Sequence, residues 1–373
     1  MQEMKKTILI NSGLKKIKFR YGYSTLSDMF LKNIKNYTNL YNFIIVCENN
    51  LNNKKIAKRE SKNRNIKYIF IKAIKNKFLN YLKLIFIINI ISVKYKADLT
   101  CSFSNYGLAY SIKPQTICLT DFGSFVFSSK MDNRSFLSRI FTNMFQKLSV
   151  INSKYLIFSS KFTADFYIKN FKKKNFNNYK IAGCSFKNFS LSKRIKKENS
   201  VLFIGGFFGL KNQKYLIDFF LKYEKKYKLY LAGVDYDKKY YNLCEELSKH
   251  SDRIILIKSP SDAKLRELYN KSKIYISPSF FEGFSMTPME ALSANSSIVL
   301  SNIKTHKEIY GKKFLYFNPK KKYSLKKVFN KSKMQSYNKI CRNFYLNNLK
   351  NEYSEKNFVR KVISSFNDYF SKI

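Results

Sequence analysis

Carboxylates are scarce in this chain: 24 acidic residues stand against 71 basic ones in a length of 373. Two of them, Glu282 and Glu290, sit eight residues apart in FEGFSMTPMEAL, around one Gly and one Pro. An ionised carboxylate accepts two hydroxyl hydrogen bonds at once, which suits a sugar. The loop between them, Gly283-Phe284-Ser285-Met286, leads into a helix start at Thr287-Pro288. Backbone N–H groups just before such a start make a site for phosphate. Glu290 has a competing local role, because Thr287 to Glu290 reads T-x-x-E, a capping box with Pro at the first helical position. Cap and ligand both remain open for Glu290. Capping does not account for Glu282.

A second stretch, VLFIGGFFGLKNQKYLIDFF (201–220), runs from a strand through Gly205-Gly206 and a turn with Gly209 to Lys211 and a helix. Glycines after a strand let the backbone approach a ligand closely, and Lys211 adds a positive charge for a phosphate. The pattern is neither G-x-G-x-x-G nor a P-loop, and alone it is compatible with a plain turn. Asp235-Tyr236-Asp237 has the look of a metal-binding D-x-D, but it lies between a strand and KKYYNLCEEL, where a helix cap is expected. Of the two histidines, His250 ends a helix, where a cation suits the dipole. His306 sits in THKEIYG, a second T-x-x-E with Glu308, and its loop follows a strand end, so a ligand contact stays open. Neither has the partners of a triad or a zinc site, and no essential metal is expected.

The elements that must position these residues alternate between strand and helix, which implies parallel sheets covered by helices. Strands are expected at 7–11, 42–48, 65–71, 97–103, 115–122 and 154–160, with helices at 27–37 and 134–148 among others. A second series of strands follows at 200–206, 228–234, 253–259, 273–279 and 296–302. The basic stretches KNFKKKNFNNYK (169–180) and KRIKKENS (193–200) bracket the change of unit. The expected fold is α/β with two doubly wound Rossmann-like domains, 1–190 and 191–350, and a ligand in the cleft at the carboxyl ends of the strands. Residues 351–373 add a helix that packs back toward the first domain. A chain of this length is too long for one ordinary core. The longest apolar run, LIFIINIISV (84–93), has half of the roughly 20 residues that span a bilayer. It reads as a buried helix between Lys83 and Lys94.

The net charge of +47 raises the question of nucleic acid. Only ten of the basic residues are Arg, whereas base-edge readout and bidentate phosphate grips favour Arg. Lys, Asn, Ile, Phe and Tyr crowd the chain together, as AT-rich codons specify. No nucleic-acid partner is expected, and a basic face toward an anionic membrane surface remains. Six scattered cysteines without a C-x-x-C pair fit a reducing cytosol. The N-terminus, MQEMKKTILINSG, has too short an apolar run for a signal peptide. The expected location is cytoplasmic, peripheral on the inner face of the cytoplasmic membrane.

Taken together, these stretches resemble the retaining glycosyltransferases of family 4 (glycosyltransferase group 1), which have the GT-B fold. The resemblance rests on the E-x7-E element, Glu282 to Glu290 within PSFFEGFSMTPMEAL. FIGG…LKN, LAGV (231–234), LRELYNKSKIYISPS (265–279), KEIYG (307–311) and FLYFNP (314–319) support it. It covers residues 200 to 320 well and the first half loosely, through LTDF (119–122) and SSKFTADF (159–166). It implies transfer of a sugar from a nucleotide-diphosphate sugar to a glycan or lipid-linked acceptor in bacterial surface polysaccharide synthesis (lipopolysaccharide, O-antigen or capsule), with no cofactor. A nucleotide-sugar epimerase on the same fold, or a weakly active member, is the alternative.

On that resemblance Glu290 would hold the ribose hydroxyls. Glu282 and the amides of Gly283, Phe284, Ser285 and Met286 would hold the transferred sugar and its diphosphate. Lys211 would neutralise the leaving diphosphate beside Gly205 and Gly206, and the loop at Gly22 would face the donor across the cleft. Lys211, Glu282 and Asp121 would be the catalytic residues. The chain also departs from the family's pattern. Gly206 stands where many members carry Arg, so Lys211 would act alone or with Lys214. Thr120 stands where many have His, although Asp121 keeps its position on the acceptor side. Asn295 and Ser297 replace the usual Gly and Pro after the motif helix.

Overall fold

The computed structural model describes residues 5–12, 22–60, 63–126, 136–172, 175–191 and 196–372. They form two compact units, the first of Met1–Phe122, Leu137–Cys184 and Glu355–Ile373, the second of Gly123–Phe136 and Ser185–Ser354.

The first unit carries β1 (Lys6–Asn11), β2 (Tyr41–Glu48), β3 (Ile66–Ile71), β4 (Leu99–Ser102), β5 (Gln115–Leu119), β6 (Tyr155–Phe158) and β7 (Tyr179–Ile181). All pair in parallel in the order β3-β2-β1-β4-β5-β6-β7. Strands buried on both faces read as continuous apolar runs, and Ile8, Leu9 and Ile10 of β1 are all fully buried. One face packs Phe30 against Phe103, with ring centroids 4.7 Å apart. Helix Glu355–Phe370 completes that layer, placing Phe366 6.4 Å from Phe30 and 6.0 Å from Tyr41. Its Asp368 accepts from the Tyr155 hydroxyl at 3.1 Å and pairs with Lys180 at 2.8 Å.

On the other face Leu9, Ile44 and Val46 meet Leu84, Ile88 and Ile91 of helix Lys77–Lys94. This helix corrects the expectation of a buried one. Phe86 is 69% exposed, Ile90 49% and Val93 54%. The two polar residues of the run, Asn89 and Ser92, are both buried, so polarity does not mark the side that meets water.

The second unit carries β8 (Glu198–Ile204), β9 (Lys228–Gly233), β10 (Ile254–Lys258), β11 (Ser272–Ser277), β12 (Ser297–Ser301) and β13 (Leu315–Phe317). These too are parallel, in the order β10-β9-β8-β11-β12-β13. The strand order reverses between β8 and β11, and in such sheets ligands bind beyond the carboxyl ends at the reversal. The two three-residue strands β7 and β13, both at sheet edges, are too short to show a period and lie outside the expected set. Residues 185–190, grouped with the first domain by the sequence, belong to the second unit. The Phe189 ring lies 4.9 Å from Tyr269, and its N–H donates to Ser293 Oγ at 2.9 Å.

Truncating Phe366 to Ala removes its ring contacts with Phe30 and Tyr41 and leaves a cavity. The expected cost is about 3–5 kcal/mol, read as a lower urea midpoint by circular dichroism. An unchanged midpoint would mean that the C-terminal helix adds no stability to the first unit.

Candidate active site

At the end of β8 the chain turns through Gly205 and Gly206 under tight steric limits. A Cβ on Gly206 would fall 2.2 Å from the Tyr236 ring, and one on Gly233 would fall 2.0 Å from the Gly205 carbonyl oxygen. Only hydrogen fits there. An Arg at 206 would have to displace Tyr236, so the departure from the family pattern is matched by the aromatic ring. Buried Gln213 donates its Nε2 to the Gly205 and Gly206 carbonyls at 3.2 and 2.9 Å.

The turn continues into a single 3-10 turn, Gly209–Lys211, which Asn212 ends in the left-handed region at φ 57°. The Phe280 N–H donates to the Leu210 carbonyl at 2.9 Å and Asn212 Nδ2 to the Pro278 carbonyl at 3.2 Å. The loops after β8 and β11 are thereby tied together across the reversal.

That tie brings two of the sequence-predicted residues into contact. Lys211 Nζ lies 2.6 Å from Glu282 Oε1, with the two side chains only 20% and 13% exposed. Ser279 Oγ donates to the same oxygen at 2.8 Å. Both partners of the carboxylate therefore sit on Oε1, and Oε2 has none among the described residues. An ammonium has three N–H donors, and that of Lys211 makes one hydrogen bond among those residues. Burial works to raise the Glu282 carboxyl, but the Lys211 ammonium and the hydrogen bonds from Lys211 and Ser279 outweigh it and hold it below the ordinary value.

Helix Lys304–Tyr310, after β12, pins both ends of the loop that carries Glu282. Thr305 Oγ1 donates to the Glu282 carbonyl at 2.6 Å. Ser285 adopts φ 74°, a left-handed conformation uncommon outside glycine. Its carbonyl accepts from the Tyr310 hydroxyl at 2.9 Å, and its Oγ lies 3.0 Å from His306 Nε2. His306 Nδ1 is 2.9 Å from the Ser301 carbonyl, which can only accept. Nδ1 therefore carries the ring hydrogen and Nε2 accepts from Ser285. Burial lowers the His306 pKa to about 4, against the pull of Glu282, so the ring is neutral. The T-x-x-E reading of this segment fails: the cap position is Ile303, without a side-chain cap, and Thr305 serves the site loop instead. In the sequence, the one mark on His306 is its position five residues beyond the end of β12.

Glu290 departs from its local reading as well. Helix Thr287–Ser293 has Met286 at its cap position and no side-chain cap. Thr287 Oγ1 accepts from the Tyr275 hydroxyl at 2.6 Å. Glu290 Oε2 accepts from the Tyr269 hydroxyl at 2.6 Å, and Oε1 from the Lys187 N–H at 3.5 Å. The capping box does not form, because the helix begins one residue too early for Thr287 to cap it. Burial pushes the Glu290 carboxyl up to about 7, despite the Tyr269 hydrogen bond. Tyr275 feels both site carboxylates, Glu282 and Glu290. Of the loop between them, Phe284 turns its ring onto Tyr353 at 5.2 Å, so its backbone is what remains for a ligand. Gly283 and Ser285 are buried, and Met286 is half-buried.

Lys214 does not join Lys211; it pairs with Asp218 at 2.6 Å. Asp235 pairs with Lys258 at 2.7 Å, and Asp237 caps helix Lys238–Ser248 by accepting from the Tyr240 N–H. Among the described residues no three His, Cys, Asp or Glu side chains gather as metal ligands. Asp121 lies in the first unit, after β5, with Oδ2 accepting from Asn105 Nδ2 at 3.0 Å and its carbonyl from the Tyr167 hydroxyl at 2.8 Å. Thr120, at the family's His position, bonds Asn105 through N–H and Oγ1. Gly22 is the first residue of helix Gly22–Asn33, and residues 13–21 before it lie outside the described set.

Folded Glu290 keeps its proton up to about pH 7, whereas the ordinary carboxyl releases it near 4.5. Between these values the unfolded state binds fewer protons, so this group's contribution to stability falls as pH rises, by on the order of 3 kcal/mol. Glu290→Gln removes that titration. Relative to wild type, the variant is expected to gain stability across this window, read by urea unfolding at about pH 5 and about pH 7.5. Equal pH slopes for the two proteins would contradict the assignment.

Residues 186–344 match the family model described as glycosyl transferases group 1. The chain is 26% identical over 216 residues to the O-antigen chain mannosyltransferase of Salmonella typhimurium, covering 56% of this chain and 58% of that protein. It is 32% identical over 85 residues, 22% of each, to the GDP-mannose:cellobiosyl-diphosphopolyprenol alpha-mannosyltransferase of Xanthomonas oryzae. Both matches thus span less than two thirds of the relative's length. A solved Anabaena protein in complex with UDP and glucose superposes over 97% of this chain and 100% of its own, with a TM-score of 0.72 at 14% identity. That likeness is one of fold, and the family match covers the unit that holds Lys211, Glu282 and Glu290. The second unit thus carries the match to the glycosyl transferases group 1, and the two parallel sheets have the GT-B fold.

Proposed function

We propose that the chain is a retaining glycosyltransferase that moves a sugar from a nucleotide-diphosphate sugar to a lipid-linked glycan acceptor, building a bacterial surface polysaccharide such as lipopolysaccharide, O-antigen or capsule. The observation that carries this reading is the Lys211–Glu282 pair at the strand reversal, with ligand-binding capacity remaining on both partners. The names of the two relatives, one for O-antigen chains and one for a diphosphopolyprenol-linked sugar, support the acceptor class.

Glycosyl transfer passes through an oxocarbenium-like state, positive at the sugar carbon and negative on the departing phosphate. The two remaining Lys211 N–H groups meet that developing negative charge, and a fixed donor in a site withdrawn from water costs no reorganisation during reaction. Glu282 Oε2 accepts a hydroxyl of the transferred sugar. Glu290 accepts the ribose hydroxyls, and the backbone of Gly205, Gly206 and Gly283 to Met286 lines the diphosphate. Lys211 supplies the cation, so no divalent metal is required. Asp121, oriented by Asn105, contacts the acceptor hydroxyl. The reaction runs on the cytoplasmic side of the membrane.

The test incubates the protein with UDP- and GDP-sugars, with and without EDTA, and follows nucleotide release and the anomeric configuration of the product by NMR. One donor class is expected to turn over at the same rate in EDTA, with configuration retained. Lys211→Met should lower kcat by roughly 10²–10³-fold. An inverted product, or no nucleotide-sugar binding at all, would overturn the reading. Asp121→Asn is expected to lower transfer while leaving the donor Kd unchanged. A matching loss of donor affinity would instead put Asp121 on the donor side.

A further inference from the structure

Helix Lys77–Lys94 leaves an apolar stripe in water. Leu82, Phe86, Ile90 and Val93 recur at helical spacing on its outer side and, with Tyr110 and Ile112, line an open groove of about 580 Å³. Phe86 is 69% and Tyr110 64% exposed. The groove is built rather than frayed. Buried Asn89 donates to the Tyr110 carbonyl at 3.1 Å and accepts from the Ile112 N–H at 2.7 Å, locking the loop to the helix.

A second stripe continues the patch on helix Phe136–Ile151, where Phe141, Met144, Leu148 and Ile151 are each 39–44% exposed. The Phe78 ring lies 5.4 Å from Phe141, and Asn152 Nδ2 donates to the Ala109 carbonyl, so helix, loop and second helix form one continuous surface. Contiguous exposed apolar area of this extent marks an interaction site.

The charge around it selects the occupant. Residues 72–113 hold seven lysines and one acid, Asp98, and residues 136–154 hold Arg139, Lys147 and Lys154 and no acid. Asp98 is committed to β1, accepting from the Thr7 N–H at 2.7 Å. Lys75, Lys94, Lys147 and Lys154 are exposed and have no acidic partner among the described residues. Apolar side chains rimmed by unpaired cations fit the boundary of an anionic bilayer, where apolar burial and attraction to lipid headgroups add.

We propose that this face of the first unit, centred on Phe86 and Ile90, docks the protein on an anionic phospholipid membrane. No described helix is long and apolar enough to cross a bilayer, and the proposed contact lies in the plane of the surface. The inference goes beyond the transfer reaction and stands on the first unit alone, so either can fail without the other.

The test is co-sedimentation of the full chain with phosphatidylcholine vesicles, with and without phosphatidylglycerol. Binding is expected only with phosphatidylglycerol, and Phe86→Ser/Ile90→Ser should weaken it by roughly tenfold or more. These residues are exposed, and an unchanged melting temperature checks the fold. In wild type, hydrogen exchange with bound vesicles should show new protection in residues 78–93 and 141–151. Absence of binding to anionic vesicles, or binding that survives the double substitution, would overturn the proposal. So would a concentration-dependent dimer that the substitutions abolish, since a second copy would then be the occupant. Nucleotide-sugar turnover is read separately, so its loss leaves this result unaffected.

Discussion

A carboxylate and an ammonium taken out of water must find partners or give up their charge, and the cost of leaving either alone is several kcal/mol. Glu282 and Lys211 meet this constraint with each other, across the point where the strand order of the second sheet reverses. Much of the neighbouring geometry follows from it. The loops after β8 and β11 must run close enough for a 2.6 Å contact, and the Phe280–Leu210 and Asn212–Pro278 hydrogen bonds hold them there. Gly233 and Gly206 are needed because a Cβ at either would strike its neighbour. The pair is only half used by its own partners among the described residues, which leaves donors and an acceptor for a ligand.

The loop from Glu282 to Ser285 would not hold its shape unaided. Ser285 sits at a positive φ, a conformation that persists in a non-glycine residue when its surroundings over-determine it. His306 and Tyr310 provide that restraint from helix Lys304–Tyr310, and Thr305 fixes the other end. Because His306 is buried and neutral, it acts through its hydrogen bonds and adds no charge to the site.

Much of this was legible before the fold was known. Long apolar runs such as TILIN and NFIIVCE announce strands buried on both faces, and E-x7-E with the Gly205–Lys211 turn points to two residues, Glu282 and Lys211, that the fold brings into contact. The readings that failed are those in which a local pattern has a second physical solution. T-x-x-E is a capping box only if Thr sits at the cap, and here Tyr275 takes the Thr287 hydroxyl while Tyr269 takes Glu290. The same applies at Thr305. Lys214, four residues before Asp218 on one helix, prefers that neighbour to the site. An apolar run such as residues 84–93 shows that a helix needs cover without showing how many of its sides receive it. Apart from the Lys214–Asp218 pair, these outcomes depend on residues distant in sequence, so no window around the motif contains them.

A crystal structure with a bound nucleoside diphosphate tests the central claim most directly. The diphosphate is expected within hydrogen-bond distance of Lys211 Nζ, with Lys211 still paired to Glu282, and the ribose hydroxyls on Glu290. A diphosphate bound away from Lys211, or a ribose that leaves Glu290 tied only to Tyr269 and Lys187, would contradict it.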